Sequence, residues 1–96
     1  MPLATCQAVG CINPIKRGQF LCTAHWHGLP LPLRRQVNDT WSRRRRAMSD
    51  KRAIIDHVEA CDEARRFIAE GEGRLEAYRP DAARIQRLYA AVGARP

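Results

Sequence analysis

Three cysteines and a histidine near the N-terminus constrain this chain more than any other feature. They read Cys6-x4-Cys11-x10-Cys22-x2-His25, with Trp26 and His27 following. Thiolate and imidazole are the donors that Zn2+ prefers, four at a time in a tetrahedron. A set of three cysteines and one histidine closes such a site with protein ligands alone, so the expected metal is a structural Zn2+. A chain of 96 residues buries only a modest core. Metal binding at such a site contributes on the order of 10 kcal/mol to folding. Three thiolates leave the centre with a net negative charge, which Lys16 and Arg17 are placed to offset in part.

The spacing also predicts a local shape. Gly10 precedes Cys11 and can supply the turn that brings Cys6 and Cys11 to one ion. Ile12–Ile15 and Gln19–Cys22 read as two short strands joined by a turn at Lys16-Arg17-Gly18, where Gly18 is free to take a positive φ. Pro14 makes the first of them an edge strand. Cys22 and His25 then stand three apart, which puts both on one side of the first turn of a helix. His27 is the alternative fourth ligand, but its i, i+5 relation to Cys22 points it away from the thiol. The order of knuckle, hairpin and helix is that of a treble-clef finger.

The rest of the chain predicts helices. Gly28 ends the short helix, and Pro30 and Pro32 keep a link over residues 29–32 extended. Leu33, Val37 and Trp41 recur at i, i+4 and i+8, one stripe of a first long helix. Like charges in Arg43-Arg44-Arg45-Arg46 should fray its end. Ser49 or Asp50 is placed to cap a second helix, with Ile54, Val58, Cys61, Ala64 and Ile68 on its apolar side, Ile55 and Phe67 flanking, and Gly71 and Gly73 stopping it. Leu75–Tyr78 reads equally as turn or helix. Pro80-Asp81 opens a third helix with Ile85, Leu88, Tyr89 and Val92 on one face, ended by Gly93 and Pro96. The expected fold is small and mainly α. A finger over residues 1–28 packs as one domain with a helical region, 33–96, whose three long helices form a bundle around Trp41, Phe67 and Tyr89.

Charge separates the segments. The net charge of +7 is concentrated in residues 34–52, which hold eight basic and two acidic residues. Such a segment suits a polyanion, either nucleic acid or an acidic protein face. The candidate contact residues are Arg34, Arg35, Arg43, Arg44, Arg45, Arg46, Lys51 and Arg52. No base-reading pattern stands out, so contacts to the phosphate backbone are expected. The acid-rich second helix, with Asp56, Glu59, Asp62 and Glu63, could pair with the basic segment of another copy, although a monomer is favoured.

No catalytic signature is present. A treble-clef nuclease would need His25 or His27 with Asn38, and the metal already claims one histidine. His57 and Cys61 stand four apart, a spacing that can bind metal. Cys61, however, lies on the apolar stripe as a core thiol, and His57 falls beside Asp56 and Glu59 on a polar side. No apolar run approaches the ~18 residues of a membrane span, and the N-terminus lacks the pattern of a signal peptide. Clustered thiols then point to a reducing cytoplasm.

Cys6-x-x-x-Gly10-Cys11, Cys22-x-x-His25-Trp26, Leu29-Pro30-x-x-Leu33-Arg34 and Trp41 together resemble small zinc-finger proteins encoded by bacteriophages and prophages. The resemblance covers residues 6–41 and extends loosely through Ala64 and Ile68. It implies a treble-clef-like metal site and a bacterial cytoplasm. The chain departs from the group at Arg43–Arg46 and from Pro80 onward. Two functions are compatible with these features. One is a non-catalytic, regulatory accessory protein that binds nucleic acid through the basic segment. The other is an inhibitor that docks on a host machine such as RNA polymerase or a CRISPR or restriction effector.

Overall fold

The computed structural model describes residues 4–93, with the side chains of residues 88 and 91–93 left aside. Four α-helices follow one another: α1 (Thr23–His27), α2 (Leu31–Arg46), α3 (Lys51–Gly71) and α4 (Ala82–Gly93), with a 3-10 turn at Leu75–Ala77 before the last. None is long and apolar enough to cross a membrane.

No strand forms among the described residues. The predicted hairpin keeps only its turn, where Gly18 has φ +87° and the Gln19 N–H donates to the Lys16 carbonyl. Its two arms pair with the N-terminal residues rather than with each other. An isolated antiparallel bridge joins Thr5 to Pro14. The Cys6 N–H donates to Asn13 O at 2.8 Å, and the Gln7 N–H to Phe20 O at 2.9 Å. Pro14 offers no N–H, so this stretch cannot build a two-sided ladder. The arrangement instead draws Cys6 in between the arms.

Helix α2 begins two residues earlier than predicted. Pro30 caps it and Pro32 occupies its first turn, where a missing N–H costs nothing. It also persists through Arg46 instead of fraying. Cations in the last turn are favoured by the helix dipole, and Arg43 pairs across to Asp56 on α3. Asp50 caps α3, its carboxylate accepting from the N–H groups of Arg52 and Ala53.

Helix α3 is the centre of the molecule, with α2 and α4 packed on it. Its buried face matches the predicted one at Ala64 and Ile68 and differs toward its N-terminal half. Ala53, His57, Ala60, Ala64, Ile68 and Ala69 are buried, while Ile54, Ile55 and Val58 are only half-buried. Small side chains let neighbouring backbones approach, and interiors close-pack to use that space. Hence the alanines face inward and the larger aliphatics flank them. The proposed aromatic core is absent for the same reason: Trp41 is 39% exposed and Phe67 43%, while Tyr89 is half-buried. Lys51 lies over the Tyr89 ring at 5.7 Å. Of the predicted α4 stripe, Leu88 and Val92 lie outside the described side chains, and Pro96 outside the described residues.

The N-terminal segment has no core apart from the helices. Cys6, Ala8, Ile15, Leu21, Cys22 and Leu29 share one apolar cluster with Val37, Ala60, Ala64 and Ile68.

Candidate metal centre

Cys6, Cys11, Cys22 and His25 converge, with all four ligand atoms within 4.8 Å of one another. His25 Nδ1 stands 3.3 Å from Cys22 Sγ and 3.4 Å from Cys6 Sγ. Donors around one tetrahedral ion, at ~2.3 Å to sulfur and ~2.0 Å to nitrogen, stand about 3.5–3.8 Å apart. The group could therefore hold a metal ion. His27 does not join it and is exposed.

Local structure explains how the donors meet. Gly10 takes φ +76°, and the Cys11 N–H donates to Ala8 O at 3.0 Å, closing the turn between the first two thiols. Cys22 is the residue that caps α1, so His25 returns beside it one turn later. Cys6 and Cys22 are shifted in opposite directions. Burial pushes Cys6 up to about 11. Burial also acts on Cys22, but hydrogen bonds from the His25 backbone, the Asn13 amide, Cys6 and the His25 ring bring it down to about 6. The amide donor to Cys22 is Asn13 Nδ2, at 3.6 Å, while Lys16 and Arg17 remain exposed.

The far end of α3 completes the centre, a contribution the sequence reading missed. His25 Nε2 lies 2.9 Å from Glu72 Oε2. That hydrogen bond, acting against burial, raises the His25 pKa. With Nε2 held as the donor to Glu72, a neutral ring would present its Nδ1 lone pair toward the sulfurs, the tautomer a metal needs. Arg74 donates from Nη1 to the Val9 carbonyl at 3.2 Å, across the knuckle. A Cβ on Gly10 would meet that same Nη1 at 1.7 Å. Gly10 is therefore favoured by its φ, while the Arg74 guanidinium, the end of a flexible side chain, is free to shift from a Cβ there.

Glu72 and Arg74 reach the centre because of how α3 ends. The Arg74 N–H bonds to Ala69 O and the Gly73 N–H to Glu70 O, with Gly73 at φ +71°. This is a Schellman turn. It reverses the chain just where the helix meets the N-terminal segment. The signal in the sequence was Gly71-Glu72-Gly73-Arg74, but its target was 47 residues away.

The basic residues are dispersed in role. Arg43 and Arg52 both pair with Asp56, the latter at 2.9 Å. Arg44 lies over the Trp41 ring at 6.0 Å. Arg34 is half-buried, and its Nε makes no hydrogen bond among the described residues. Arg35, Arg45 and Arg46 are exposed and have no acidic partner among those residues.

Of the α3 acids, Asp56, Glu59 and Asp62 are engaged within the chain, while Glu63 is exposed. Asp62 is buried and accepts from Arg65 Nη1 at 2.9 Å and from the backbone N–H groups of Asp81 and Ala82 at 3.1 and 2.7 Å. Glu59 accepts from Gln86. His57 is buried, not on a polar side. Burial and the nearby Arg44 charge lower its pKa. Its Nδ1 lies 3.0 Å from Thr40 Oγ1, which itself donates to Gln36 O at 2.8 Å. Burial pushes the Cys61 thiol up to about 12, and no third metal donor joins His57 and Cys61 among the described residues.

The chain matches no protein-family model, and no curated protein or solved structure is significantly similar to it.

Proposed function

We propose that this chain is a non-catalytic zinc protein of the phage accessory type that binds nucleic acid through its basic segment. The donor set supports the zinc: three sulfurs and one imidazole suit a borderline-soft ion and close the site to substrate. The ligand order supports a treble-clef-like finger, with two cysteines on a glycine turn and the last two donors at the start of a helix. The ion's role is structural, tying the N-terminal segment to the end of α3.

The observation that carries the nucleic-acid reading is the division of labour along α2. Asp56 takes up Arg43 and Arg52. Arg35, Arg45 and Arg46 stay exposed with no carboxylate partner among the described residues. Charges left unneutralised on one helix attract phosphates and release counterions, so binding falls steeply with salt. A gel-shift series from about 50 to 200 mM salt tests this. Changing Arg45 and Arg46 to Ser should weaken binding and flatten the salt dependence, with metal content and helicity unchanged. Absence of a shift at the low-salt end would refute it. An acidic protein face would instead yield a captured host partner that survives nuclease treatment.

A further inference from the structure

A cleft of about 610 Å3 opens between the 18–21 turn, α1, α2 and α3. That volume lies within the roughly 300–1,000 Å3 typical of small-ligand pockets. Its walls include Phe20, Trp26, His27, Asn38, Trp41 and His57. Phe20 and Trp26 meet edge to face, with centroids 6.4 Å apart. Trp41 is braced by His57 at 5.2 Å and by Arg44 at 6.0 Å, yet keeps more than a third of its surface open.

From this cleft we infer that the protein takes an unpaired nucleobase of a single strand between its aromatic side chains. The inference rests on the nucleic-acid reading above and narrows it. Three observations converge. The lining is rich in aromatic rings and includes no Lys, Arg, Asp or Glu. A neutral planar heterocycle fits such walls, and a phosphate does not. Asn38 and Gln19 line the same space with amides that can pair with a base edge. Lastly, the cations lie outside it. Arg34, Asn38, Trp41 and Arg45 recur at i, i+4, i+7 and i+11 on α2, so one helix face carries the cleft wall between two arginines. A strand following that face would lay its phosphates on arginine and turn a base into the cleft. Aromatic platforms flanked by cations bind single strands in this way. A duplex keeps its bases stacked and presents none.

The test uses the metal-loaded full chain and leaves the protein unaltered in its first arm. Fluorescence anisotropy at about 50 mM salt compares labelled oligothymidylate, oligouridylate, a duplex, and an abasic strand of equal length and charge. The expected result is that at least one base-bearing strand binds roughly five- to a hundredfold more tightly than the abasic one, with quenching of tryptophan fluorescence. A preference between the first two reports the sugar and the 5-methyl group of the base together, and either preference supports the proposal. In the second arm, Trp41→Ala should abolish the advantage of the base-bearing strand while metal content stays unchanged, and Trp41→Phe should restore most of it. Equal binding of base-bearing and abasic strands overturns the cleft while leaving the backbone reading intact. So does an advantage that survives Trp41→Ala. Failure of every oligonucleotide to bind overturns both.

Discussion

Glu72 shows how much one residue outside the ligand set can govern. It receives the Nε2 proton of His25 and so selects the tautomer that offers Nδ1 to the thiols. Removing such a partner typically weakens metal affinity by about 10- to 100-fold. Glu72→Ala should do so in a chelator competition, and Glu72→Gln, which keeps an acceptor, should recover part of the loss. His57 makes a second prediction at this scale. Its pKa is depressed by burial, so the unfolded chain binds a proton that the folded chain refuses. Stability is then lost as pH falls below the ordinary histidine value of about 6.5 and levels off below the depressed one. Metal release acts in the same range, but it is common to wild type and His57→Gln. The difference in their unfolding free energies should therefore carry the His57 slope, measured by denaturant titration between about pH 7 and pH 5. A constant difference would show that His57 titrates alike in both states.

Among the elements, α4 takes the hydrogen bonds at its start from a buried carboxylate on another helix. Asp62 reaches from mid-α3 to the first amides of α4, doing in trans what a local N-cap does in cis. Arg65 holds it from one side, and the Tyr78 hydroxyl donates to its carbonyl. Asp62→Ala leaves two backbone amides unpaired, while Arg65 keeps Asp81 as a partner at 3.3 Å. The cost should be about 1–3 kcal/mol. Hydrogen exchange should show it as lost protection in α4, with α2 and α3 retained. The cap of α3 was legible in the sequence because Asp50 bonds to residues two and three ahead of it. The cap of α4 was not, because its acceptor lies about twenty residues back on another helix. The face of α3 was read correctly at Ala64 and Ile68 but misread in its N-terminal half, for a related reason. Hydrophobicity favoured Ile54 and Val58, whereas close packing favoured the alanines and brought His57 in with them.

For the whole molecule, the metal and the helices are expected to be mutually dependent. The N-terminal segment shares one apolar cluster with α2 and α3. It is tied to the end of α3 by Glu72 and Arg74, and to its middle by the Arg65 Nε bond to Gln7 O. Cys22→Ser, or exhaustive chelation, should therefore do more than loosen a loop. Melting followed by circular dichroism should show a lower midpoint for the helical signal itself. A helical region that melts unchanged would mean that the segment is an appendage.

Local chemistry determined much of this protein before any tertiary contact was known. The four donors, their spacing, the turn at Gly10, the positive φ at Gly18, the cap at Asp50 and the helical character from Leu33 onward all depend on residues within a few positions of one another. Periodicity and capping report such relations directly. The tertiary structure alone decided which face is buried in the N-terminal half of α3, how residues 4–7 thread between the predicted arms, which carboxylate orients His25, and why Trp41 borders a cleft rather than a core. Each of those depends on residues distant in the chain meeting at one place. Their meeting is set by the close packing of small side chains and by a helix end turned back toward the metal ligands.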